Sequence, residues 1–106
     1  MDTSIIRGTT PLIKYNFSSV NVADIAMAYL VIKQNGAAVV TLPLADATVG
    51  STSLSWVLTQ AQTLLLKDGK NAEICLDWIL TSGTRGIGKT LEVNVGSSAV
   101  NEVIEL

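Results

Sequence analysis

The sequence contains no histidine. That removes Ser-His-Asp and Cys-His nucleophile systems, imidazole acid–base catalysis and most zinc sites. Only carboxylate, lysine or metal–carboxylate chemistry stays open. There is one cysteine, Cys75, so no internal disulfide forms, and synthesis in a reducing cytoplasm follows. Charge is scarce: seven basic and nine acidic residues make up 15% of the chain, against roughly 25% in an ordinary soluble domain. The basic residues are scattered from Arg7 to Lys89 and the net charge is −2. A focused positive surface is therefore missing, and no nucleic-acid partner is expected. No run of apolar residues reaches the length of a membrane span, so no membrane insertion is expected. Met1-Asp2-Thr3-Ser4 lacks the basic region and apolar stretch of a signal peptide.

What is present is apolar. Hydrophobic residues are 48% of 106 positions, and the mean hydropathy is +0.43. The length suffices for one domain with one core. A small domain has much surface for its volume, so this composition leaves apolar atoms outside, where copies of a partner would cover them.

The apolar residues recur mostly with period two, the signature of strands. Leu12 to Phe17 alternates, with Ile13, Tyr15 and Phe17 on one face and Pro11 at the start. Asn21 is placed to cap a short helical turn over Val22–Ile25. Tyr29–Gln34 and Ala37–Leu42 flank Asn35-Gly36, the pair that favours a two-residue type I′ hairpin. Both of these strands are apolar on both faces. Pro43–Thr52 reads as a connection. Leu54, Trp56 and Leu58 face inward on the next strand, and Thr59 is placed to cap a second helical turn. A long strand spans Ala72–Leu80, with Ala72, Ile74, Leu76, Trp78 and Leu80 inward and Glu73, Cys75, Asp77 and Ile79 outward. Thr81–Gly88 reads as a glycine-rich turn. Leu91, Val93 and Val95 face inward on a last strand. Ser4–Arg7 offers one more. The expected fold is all-β: an immunoglobulin-like antiparallel β-sandwich of six to seven strands with one or two short helical turns. Residues 1–96 form the single domain, and residues 97–106 form a C-terminal tail in which Ala99, Val100, Val103 and Ile104 have helical spacing.

One motif invites a catalytic reading. Gly83-Thr84-Arg85-Gly86-Ile87-Gly88-Lys89-Thr90 fits the phosphate-binding pattern G-x-x-x-x-G-K-[ST]. That pattern acts only when a helix follows, because the helix N-terminus stabilises the phosphates. Here Leu91-Glu92-Val93-Asn94-Val95 alternates as a strand, so the glycines are expected to serve a hairpin turn. Glu73, Asp77 and Glu92 form a carboxylate group of the kind that serves glycoside hydrolysis or calcium binding, but they read as solvated strand-face charges. Cys75 reads as a small, half-buried apolar residue. Trp56 and Trp78 read as core anchors rather than a sugar platform. No catalytic, cofactor-binding or metal residue is assigned.

The order Arg7-Gly8-Thr9-Thr10-Pro11, then a strand ending at Gln34-Asn35-Gly36, then Leu58-Thr59-Gln60-Ala61-Gln62-Thr63 resembles small proteins encoded by phages and prophages of Gram-positive, often gut, bacteria. Those read Arg-Gly-Thr-Thr-Pro, Gln-x-Gly and Leu-Thr-Gln-x-x-Thr. The chain departs at Gln62, where that pattern often has Glu. The resemblance covers most of the chain and brings no catalytic residues with it. It implies an immunoglobulin-like fold and a virion protein of the tail or baseplate region. The expected role is non-enzymatic and structural, in the virion after synthesis in the host bacterial cytoplasm. Its expected partners are further copies of itself and other virion proteins. The alternative is a small binding module that contacts host surface carbohydrate or protein.

Overall fold

The computed structural model describes residues 4–105. Local chemistry sets its turns. Asn35 and Gly36 both take positive φ, 54° and 76°, as a type I′ turn requires. They join two antiparallel strands, β3 (Ile25–Gln34) and β4 (Ala37–Pro43). The Asn21 side chain accepts from the Ala23 N–H and starts a single 3₁₀ turn over Val22–Asp24. Thr59 and Gln62 exchange hydrogen bonds in a capping box at the head of helix α1 (Gln60–Leu64). The remaining strands are β1 (Ser4–Ile6), β2 (Leu12–Asn16), β5 (Thr48–Val49), β6 (Ser53–Val57), β7 (Ala72–Leu80), β8 (Arg85–Ile87) and β9 (Leu91–Gly96).

These strands form two sheets. The larger runs β1-β9-β7-β3-β4, with β8 beside β9 on the same edge of β7; the smaller runs β2-β6-β5. The chain crosses between sheets after β1, β2, β4 and β6, which gives the strand order of an immunoglobulin-like sandwich. The expected all-β sandwich is therefore the fold. The inner faces meet in one core, with Trp56, Leu54 and Leu58 from the smaller sheet side against Leu30, Ile32 and Leu76 from the larger. Full burial of each such side chain contributes about 1.5–3 kcal/mol. The indole Nε1 of Trp56 donates to the Pro43 carbonyl at 3.0 Å, so the one polar atom of this anchor is satisfied.

Several sequence expectations need correction. β1 does join the sheet, but parallel to β9 rather than antiparallel. The stretch Pro43–Thr52 holds a 3₁₀ turn at Leu44–Asp46 and the short strand β5. Thr81–Gly88 is a turn only at its start, because Arg85–Ile87 pairs with Ile79–Asp77. The described residues thus contain nine strands where six to seven were expected. Leu91 has the inward register yet is exposed; it lines a cleft of about 430 Å³ between β9 and β2, where the sheets diverge. The tail is not helical: Ser97 to Glu105 runs without regular structure. Arg7 and Gln60 hydrogen-bond to it at Asn101 and Ile104 instead.

Candidate interaction surfaces

The glycine-rich segment is built around packing and not around an anion. Gly83 turns the chain with φ 89°, donating its N–H to the Leu80 carbonyl at 2.9 Å. Gly86 lies against the Trp78 indole, where a Cβ would come within 2.6 Å of the ring. Gly88 donates its N–H to the Leu76 carbonyl at 2.7 Å. Backbone donors that a phosphate loop leaves free are therefore used inside the sheet. Lys89 and Thr90 lead directly into β9, so the dipole of a following helix has no place here.

The carboxylates separate along the outer face of the larger sheet. Asp77 pairs with Arg85 at 3.2 Å, and both are substantially exposed; such a surface pair is worth well under about 1 kcal/mol. Glu92 does lie beside Glu73 across β7–β9. Glu73 has Lys33 on its other side in β3, and Glu92 accepts from Asn71 Nδ2 at 2.9 Å. Among the described residues no three His, Cys, Asp or Glu side chains group to hold a metal ion.

Cys75 is half-buried near the break where the neighbour of β7 changes from β9 to β8. Tyr15 fills that break from inside. Its hydroxyl lies 3.3 Å from the Ile74 carbonyl and 3.4 Å from the Lys89 carbonyl. Burial, with a smaller contribution from Cys75, pushes the Tyr15 phenol above its ordinary value of 10.0. Trp78 has the inward register but is only half-buried, stacking edge-on against Phe17 at 5.2 Å. Trp56 is fully buried, so neither indole offers the open flat face of a sugar platform.

Two regions stand out from this background. The first is the outer face of the larger sheet. Register sets its rows: Met27 beside Ile79 beside Arg85, then Tyr29 beside Asp77 beside Ile87, then Val31 beside Cys75. Met27, Tyr29 and Ile79 are exposed, and Ile87 is 72% exposed. A shallow depression of about 220 Å³ opens between Met27, Tyr29, Asp77, Trp78, Ile79 and Arg85. The Asp77–Arg85 pair lies within this face, and exposed apolar residues gathered around it mark an interaction site more often than scattered single residues do.

The second region unites two of the three motif segments singled out in the sequence, Arg7–Pro11 and Leu58–Thr63. Thr63 is fully buried on α1. Its hydroxyl accepts from the Gly8 N–H at 2.9 Å and donates to the Thr9 carbonyl at 2.9 Å. Arg7 Nη2 donates to the Leu64 carbonyl at 3.0 Å, and the Leu58 N–H donates to the Pro11 carbonyl at 3.0 Å. Arg7–Pro11 and Leu58–Thr63 thus close one corner of the sandwich. Gln34, the third motif element, is buried and ties down a distant turn: it donates to the Lys67 carbonyl at 3.0 Å and accepts from the Lys67 N–H at 2.8 Å. Residues that repeat as motifs here serve architecture. A threonine one turn after a capped helix start and a glutamine ending an apolar strand are the signals for it, since both are polar side chains in otherwise buried registers.

The corner also holds the tail. Gln60 on α1 reads the backbone of Ile104 with both ends of its amide, donating to the carbonyl at 3.1 Å and accepting from the N–H at 2.7 Å. Arg7 Nη1 reaches Asn101 Oδ1 at 3.4 Å. Among the described residues no helix is long and apolar enough to cross a membrane. A scan against protein-family models finds no match, and a search of curated proteins finds none.

Proposed function

We propose that this chain is a non-enzymatic structural or assembly protein of a bacteriophage particle, of the tail or baseplate region, acting through protein–protein contacts in a multimer. The observation that carries the reading is the apolar outer face of the larger sheet, with Met27, Tyr29, Ile79 and Ile87 exposed together on adjacent strands. Its supports are the low charge of the chain, the phage-like motifs and their purely architectural use. A face of this kind stays in water only at a cost of roughly 25 cal/mol for each Å² of apolar surface, and copies stacked in a particle remove it.

The test is composition and position in the particle. Purified particles from cells producing the chain are expected to contain it in multiple copies, as a stoichiometric band and as repeated density in the tail or baseplate by electron cryomicroscopy. Its consistent absence from washed particles, with the protein left in the lysate, would sink the proposal.

A further inference from the structure

We infer that the cleft between β2 and the start of β9 receives an extended strand of another protein, which pairs with the open edge of β2 and carries a carboxylate side chain opposite Lys14. This surface is separate from the outer sheet face, and the inference does not depend on self-association.

The backbone of β2 sets the direction of pairing. The Leu58 N–H donates to the Pro11 carbonyl at 3.0 Å and the Phe17 N–H donates to the Thr52 carbonyl at 2.7 Å, continuing the ladder to β6 at both ends. Backbone groups of an antiparallel strand alternate in direction. Odd-numbered residues therefore face β6, and Leu12, Lys14 and Asn16 turn their N–H and carbonyl groups to the opposite edge. Among the described residues no strand pairs there. The cleft of about 430 Å³ runs along that edge, because Pro11 to Tyr15 all line it; residues that alternate between faces share one cleft only at the edge of their strand. Five residues of strand span about 17 Å, which admits an extended segment of the same length. The floor is apolar, with Ile74 and Leu91 from the larger sheet and Ile13 from the smaller. Leu91 has the inward register yet is 42% exposed, so this part of the core lacks a cover. Among the described residues the charged side chains lining the cleft are Lys14 and Lys89, both exposed, and a carboxylate complements them. Alternation then fixes the pattern of the occupant. The residue opposite Lys14 points outward with it, and the residues on either side point inward to the floor, so the order is apolar, acidic, apolar. A lysine on an open edge discourages indiscriminate pairing, and opposite a carboxylate it selects the partner. A fatty chain would fit the floor but offers nothing to the edge N–H and carbonyl groups, which an added strand takes up.

The test titrates the isotope-labelled full chain with the end-blocked peptide Thr-Val-Glu-Val-Thr and follows the backbone amides by NMR. The largest shifts are expected at Leu12, Lys14 and Leu91. The same peptide with its backbone nitrogens methylated is expected not to bind, since strand pairing needs those donors. Lys14 is exposed, so Lys14→Glu keeps the core, and it is expected to weaken binding about fivefold. A peptide with lysine in place of the glutamate is expected to bind that variant better than the parent. The inference is overturned if no β2 amide moves at millimolar peptide, if the shifts fall on Tyr29 and Ile79 instead, or if Lys14→Glu leaves binding unchanged. Decanoate that shifts Ile74 and Leu91 and excludes the peptide would assign the cleft to a lipid chain, and that result overturns it too.

Discussion

Replacing Thr63 with valine keeps the shape of a fully buried side chain and removes its hydroxyl. The Gly8 N–H and Thr9 carbonyl, each 2.9 Å from that oxygen, then lose their partner. A stranded buried polar group costs about 1–3 kcal/mol, and both groups here are partly open to water, so each sits near the low end. The expected destabilisation is about 2 kcal/mol, a drop in Tm on the order of 8 °C for a domain of this size. Thr63→Ser keeps the hydroxyl and deletes one methyl group, at a cost of about 1 kcal/mol. Urea titrations followed by tryptophan fluorescence give both values. Valine must cost more than serine. The reverse order would mean that methyl packing holds the corner and that the hydrogen-bonded clamp contributes little.

Gly86→Ala sets a Cβ within 2.6 Å of the Trp78 ring; overpacking is expected to cost about 1–3 kcal/mol in a thermal melt, and an unchanged melt would show that the indole is free to move. The raised Tyr15 phenol predicts alkaline destabilisation. The folded state holds that proton more tightly than the unfolded chain, so the contribution is complete below pH 10.0 and disappears as the pH rises through the higher folded value. Stability measured against pH falls in this range in the parent, and Tyr15→Phe is expected to flatten the fall; an identical slope in both would place its cause elsewhere. Magnesium–ATP is expected to leave the melting temperature unchanged, since the Gly88 N–H is committed to Leu76; a stabilisation lost in Lys89→Ala would contradict that.

Much of this architecture was legible because it depends on neighbours in sequence. Asn35-Gly36 specifies its own backbone, Thr59 finds Gln62 three residues on, and the alternation of Leu54, Trp56 and Leu58 requires only a strand. The strand after Lys89-Thr90 was legible for the same reason, and it decided against the phosphate-loop reading. What escaped depends on distant residues. The parallel pairing of β1 joins residues at opposite ends of the chain, and three-residue β8 is a strand only because β7 offers it a free edge. The tail's spacing suits a helix, but Gln60 takes the Ile104 N–H that a helix would use. The corner was visible as motifs and not as a contact, since Thr63 and Gly8 are 55 residues apart.

The central claim is that the outer face of the larger sheet carries copy-to-copy contact. Sedimentation equilibrium of the full chain, set beside a Tyr29→Glu/Ile79→Glu variant, tests it most directly. Both side chains point out of the sandwich on adjacent strands, so the variant retains its core and its folding can be checked by a cooperative thermal melt. The account predicts a concentration-dependent multimer for the parent and a monomer for the variant, with the dissociation constant raised at least a hundredfold. A parent that remains monomeric at the highest attainable concentration, or a variant that associates as the parent does, would contradict it.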